Sequence, residues 1–128
     1  MTAIIAPQTI TLTIPGTLAT SSIVTMVMPF KGIITGAYLA VTGAPAGSAL
    51  TADLKVGSSV AAAFSIVSGG TDDEGTLTAA NCDFVKGAQV SLDISAVGSG
   101  TAGTGATVAF TVSEVSDATH IQAAGVND

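Results

Sequence analysis

Apolar residues recur at every second position in one short run after another, and this rhythm constrains the fold more than any other feature. Across residues 9–14 threonine alternates with Ile10, Leu12 and Ile14. Val24, Met26, Met28 and Phe30 repeat the pattern, as do Leu50, Ala52, Leu54 and Val56. Later come Val90, Leu92 and Ile94, then Val108, Phe110 and Val112. A period of two sorts side chains onto the opposite faces of an extended strand, whereas a helix face needs a 3.6-residue repeat. Residues 59–67 read as a strand because Val and Ile outweigh the alanines, and 75–80 as a weaker one. In residues 33–43 the two halves are out of phase, and Gly36 marks a bulge that flips the register. About eight short strands result, separated by Gly, Ser, Asp and Pro turns. Each has one apolar face to cover, so the expected fold is an all-β antiparallel sandwich.

One unit occurs twice. Residues 43–56, "GAPAGSALTADLKV", and 98–112, "GSGTAGTGATVAFTV", align on Gly47 and Gly103. Each copy follows a Lys-Gly pair (Lys31-Gly32, Lys86-Gly87) and an apolar strand. Residues 31–56 and 86–112 are therefore expected to be equivalent strand–loop–strand pairs, with a hairpin loop at 98–105. Paired units of this kind suit a jelly roll with its two interlocked Greek keys. An immunoglobulin-like core is disfavoured, since the chain has one cysteine and no tryptophan. The length of 128 residues suits one domain, placed at 9–115, with an N-terminal arm at 1–8 and a tail at 116–128.

Charge narrows the partners. Only 9% of residues are charged, against roughly 25% in an average globular protein. Lys31, Lys55 and Lys86 are the only basic residues and the net charge is −6, so a phosphate backbone is a poor partner. No apolar run is long enough to span a bilayer, and no membrane partner is expected. The opening Met-Thr-Ala-Ile-Ile-Ala lacks a basic segment and meets Pro7, which fits synthesis in a cytoplasm without a secretory leader. A chain this poor in charge suggests a surface partly covered by other subunits, or one built of Thr, Ser and Gly.

Catalytic constellations do not emerge. Cys82 and His120 are the single residues of their types, which leaves no Cys–His pair with metal-ligand spacing and no intramolecular disulfide. Cys82 reads as a small buried apolar residue. The Gly-rich run at 98–105 lacks the Lys-Ser/Thr ending of a phosphate loop. Asp72, Asp73 and Glu74 supply oxygen ligands in principle, yet without the spacing of a calcium loop; they read as a solvated turn that discourages edge pairing. The four phenylalanines read as core, and Tyr38 as a packing residue at a sheet rim or subunit contact. No enzyme activity, metal or cofactor is expected.

"LTIPGTLAT" (12–20), "MPFKGIITGAYLAVTGAPAGSALTADLKVG" (28–57) and "FVKGAQVSLDISAVGSGTAGTGATVAF" (84–110) together resemble a recurring β-sandwich sequence of tailed bacteriophages and prophages. The shared features are an apolar-Pro-Gly-Thr-Leu opening, a Phe-x-Gly-x-Ile-x-Gly strand, a Pro-x-Gly-Ser-x-Leu turn and a late Val-Gly-Ser loop. Such modules resemble capsid decoration (cement) proteins and domains of phage fibres. The resemblance implies a structural virion protein, made in the host cytoplasm and bound to the capsid exterior. It implies the major capsid protein as partner and a homotrimer as oligomer. The contact residues expected on this reading are Ile4, Ile5 and Pro7 in the arm, which lies outside the matched residues, Ala44, Pro45 and Gly47 in the first loop, and Thr101 and Gly103 in the second. The alternative is a fibre or receptor-recognition module that binds a host surface glycan.

Overall fold

A computed structural model describes residues 3–4 and 8–116 of the chain. Two antiparallel sheets face each other. In the first, β11 (Thr104–Ser116) is central. Along one side of it run β1 (Ala3–Ile4) and β2 (Gln8–Thr17); on the other side lies β4 (Gly32–Gly43). The far edge of β4 is shared by β7 (Asp72–Glu74) and β9 (Asp83–Phe84). The second sheet has the order β3 (Ile23–Val27), β10 (Gln89–Val97), β5 (Leu50–Val56), β6 (Ser59–Ile66) and β8 (Thr76–Leu77). A short 3₁₀ turn at Ala79–Asn81 precedes Cys82.

Taking β1/β2 and β7/β9 as single edge positions, the two layers read β2-β11-β4-β9 over β3-β10-β5-β6. That is the double Greek-key order of a jelly roll. The chain changes sheet at most of its connections; β5 and β6 are joined within one sheet by a tight turn at Gly57.

The alternation seen in the sequence decides which side chains fill the interior. Leu39, Val41, Val108, Phe110 and Val112 of the first sheet are buried. They pack against Leu50, Leu54, Phe64, Ile66, Leu92 and Ile94 of the second. Met28 and Phe84 close one end, with Phe30 tilted against Phe84 at a ring separation of 5.8 Å. The predicted bulge is present. Thr111 pairs with Gly36 while Val112 pairs with Ile34, so Thr35 is skipped and Ile34 and Ala37 both point inward.

Several expectations change. Residues 98–105 are not a hairpin loop, because β10 and β11 belong to different sheets. The repeated unit is a crossover in both copies: β4 to β5, and β10 to β11. Because β4 pairs with β11 and β5 with β10, exchanging one copy for the other preserves the pairing, and the repeat is a local pseudo-two-fold. Asp72–Glu74 is a short edge strand rather than a turn, with Asp73 Oδ2 accepting the Ser65 N–H at 2.9 Å across to β6. Residues 75–80 hold only a two-residue strand before the 3₁₀ turn. In the expected arm, Ala3 and Ile4 are paired with Ser116 and Val115, and β2 already begins at Gln8. Ser116, expected to open the tail, is still in β11; the rest of that segment, residues 117–128 with His120, lies outside the described residues.

Candidate interaction surfaces

Two-sheet crossovers with alternating direction gather every second loop at one end. Here the loops at 18–22, 44–49, 67–71 and 98–103 form a crown, and their backbones are bonded to one another. Ala46 N–H donates to Thr101 O at 2.9 Å, and Gly100 and Thr101 N–H donate to Ala46 O at 2.8 and 3.1 Å. Gly69 N–H donates to Pro45 O at 2.8 Å, and Leu18 N–H to Gly103 O at 3.0 Å. Ser68 Oγ accepts Gly47 N–H at 3.1 Å.

This stitching explains why both loops are small-residue loops. Gly47 has φ +91°, and a Cβ there would stand 2.6 Å from Gly100 N and 2.5 Å from Ser99 Oγ. At Gly103 a Cβ would stand 2.7 Å from Leu50 Cδ1. The two glycines aligned in the repeat thus do different work: one permits a left-handed turn, the other a close approach to the core. Close packing thus accounts for Gly47 and Gly103.

The residues expected to make contacts separate into groups. Ala44, Pro45, Gly47, Thr101 and Gly103 come together in the crown. Pro45 and Gly103 are buried within the chain, while Gly47 and Thr101 are exposed. Ile4 sits in β1 at the opposite end, paired with Val115. Thr104 and Val115 lie at and next to the two ends of β11, about 35 Å apart at roughly 3.3 Å per residue. Ile4 and the loops therefore cannot form one contact surface on a single subunit. Ile5 and Pro7 lie outside the described residues. The loops at 18–22 and 67–71 were not expected in the site. Their signal was present as two more small, uncharged connections, but only the crossover topology brings them to the same end.

Charge divides the molecule. None of the four crown loops contains a charged side chain, and the exposed crown residues include Thr20, Ser48, Val67, Ser99 and Thr101. Lys31, Asp83, Lys86 and Glu114 lie at the far end. Asp53, Lys55 and Asp93 lie on the outer face of the second sheet, where Lys55 Nζ meets Asp93 Oδ2 at 3.0 Å. Asp72, Asp73 and Glu74 occupy the β7 edge. The outer face of the first sheet is a threonine surface: Thr11 and Thr13 on β2 stand beside Ala109 and Thr107 on β11. Tyr38 is about half exposed on that face, with its hydroxyl 3.5 Å from Asp72 Oδ2; the Asp72 carboxylate, foremost, pushes the phenol above its usual range.

At the far end a groove of about 320 Å³ is lined by Lys31, Gly32, Ile33, Asp83, Phe84, Val85 and Val115. It joins apolar walls to one ammonium and one carboxylate. Cys82 is buried nearby, with Sγ 3.3 Å from Thr78 O; burial, and then the neighbouring Asp83, pushes its thiol up. That setting makes it a core residue with little thiolate, the opposite of an activated nucleophile. No group of three or more His, Cys, Asp or Glu side chains converges among the described residues.

No protein-family model matches the chain, and no curated protein matches it.

Proposed function

We propose that this chain is a structural virion protein, a decoration protein that binds the outside of a capsid as a closed homo-oligomer. The observation that carries the reading is the crown: four loops from both sheets, none with a charged side chain, tied by backbone hydrogen bonds into one surface. A rigid uncharged surface of small residues suits docking against another protein, because little conformational entropy is lost and no charge is desolvated. The major capsid protein is the proposed partner, and the crown is the face turned toward it. An oligomer touching several capsomers gains from each further contact once the first is made. Binding only the assembled shell, it stabilises that state by mass action.

Sedimentation of undecorated capsids of the cognate phage with the purified protein tests this. Co-sedimentation at a fixed stoichiometry is expected. Thr101→Lys in the crown weakens it, and Lys86→Glu at the far end leaves it unchanged. Protein that stays in the supernatant at every ratio overturns the reading. The glycan-binding alternative draws on Tyr38, a single half-exposed ring among hydroxyls. A competable hit on a glycan array that is lost in Tyr38→Ala would favour it instead.

A further inference from the structure

The two flanks of the sandwich are built differently. On one side, the edge strands β7, β8 and β9 are two or three residues long, and Asp72, Asp73, Glu74 and Asp83 stand along them. Short acidic edges of this kind deter pairing with another chain. The other flank is formed by β2 and β3, and residues 1–30 contain no charged side chain at all. On β3 even the protecting proline is missing from the strand.

The backbone of β3 has a definite orientation. Ser22 O accepts from Ile94 N–H at 3.0 Å, and Met28 both donates to Ala88 O and accepts from Gly87 N–H. These groups point toward β10. By two-residue alternation Ile23, Thr25 and Val27 point their N–H and C=O groups away from it, and no strand lies on that side among the described residues. The same three residues carry their side chains on the outer face, where Ile23 is 56% and Val27 57% exposed. Unpaired backbone and exposed β-branched side chains thus coincide on one five-residue edge.

That edge is complementary to itself. Turned about a two-fold axis at Thr25, a second β3 sets Ile23 against Val27 of the other copy, Thr25 against Thr25, and Val27 against Ile23. Each facing pair exchanges both of its backbone hydrogen bonds, and each apolar side chain meets an apolar one. We infer that β3 is the contact between two copies of this chain, joining their five-stranded sheets into one continuous antiparallel sheet across a two-fold axis. A closed two-fold contact gives a dimer, where sequence resemblance led to the expectation of a three-fold ring. The inference concerns the free protein and does not depend on capsid binding.

Sedimentation equilibrium of the full chain in buffer, without capsids, tests it. The wild type sediments at twice the 12.3 kDa of one chain. Thr25→Lys sets two ammonium groups against each other at the axis and raises the dimer dissociation constant roughly tenfold or more, with the loss partly relieved by salt. Thr11→Lys, which puts the same charge on the exposed face of β2, leaves the dimer intact. Thr25→Cys, should the lysine variant fail to fold, is crosslinked through position 25 by a short bifunctional thiol reagent, since facing Cβ atoms of a hydrogen-bonded pair lie about 5.5 Å apart, a little beyond direct disulfide reach. A monomeric wild type, an oligomer that Thr25→Lys does not disturb, or the absence of that crosslink in a folded Thr25→Cys chain overturns the inference.

Discussion

Replacing Gly47 by alanine measures how tightly the crown loops are packed. Two costs add. Gly47 has φ +91°, a backbone state that an L-residue occupies at a cost of about 1–2 kcal/mol. The new methyl would also stand 2.5 Å from Ser99 Oγ and 2.6 Å from Gly100 N. Ser99 can rotate away, but Gly100 is held by its hydrogen bond to Ala46 O at 2.8 Å. The 98–103 loop must therefore shift as a unit, an overpacking cost of about 1–3 kcal/mol. The total is about 2–5 kcal/mol. For 128 residues the unfolding entropy is about 270 cal/mol/K, so each kcal/mol lowers Tm by about 4 °C, and Gly47→Ala falls by roughly 8–20 °C. Gly57→Ala is the control, because Gly57 has φ +63° but nothing within 4 Å of its would-be Cβ. It bears only the backbone cost, a fall of about 4–8 °C. Circular-dichroism melts of the three proteins at one concentration give the comparison, since association also moves Tm. If the two variants melt together, the loops do not meet as described and the crown is not a single surface.

Two further outcomes follow from the charges and the thiol. The Cys82 thiol is raised by burial, so above about pH 8.5 the folded state holds a proton that the unfolded state has lost. Stability contributed by the neutral thiol is complete below that pH and declines as pH rises toward the folded value; Cys82→Ala removes the decline between pH 8 and 10, and an unchanged slope in denaturant titrations refutes the assignment. On the second sheet Asp93 and Asp53 face each other directly, and Lys55 holds Asp93 at 3.0 Å. Lys55→Gln leaves two like charges opposed and costs about 0.5–1.5 kcal/mol at low ionic strength. The cost shrinks in 1 M NaCl and is largely recovered by adding Asp53→Asn, and urea titrations at the two salt concentrations check both statements.

Much of this architecture was legible as local pattern. Val90, Leu92 and Ile94 were assigned inward from alternation alone and are fully buried. A phase change places a bulge at Gly36, and the register shift lies beside that glycine, where Thr35 is skipped. Such features depend on neighbours within a few residues, so the sequence carries them directly. The pairing of the glycine loops was visible as a repeat. That the repeat crosses between sheets, and makes no hairpin, was not, because a loop of given length and composition serves either connection.

The sequence by itself determined the long strands, their inward faces and the scarcity of charge, each being a property of residue type at a spacing. Tertiary structure alone decided where the scarcity falls. The double Greek key sends four separate uncharged loops to one end and the charged residues at 31, 83, 86 and 114 to the other. It also places the uncharged β3 at a sheet edge, where among the described residues no strand pairs the outward backbone groups of the very residues whose side chains are exposed. Edge or centre, crown or base, are positions in a topology fixed by contacts between distant residues, and no local spacing records them.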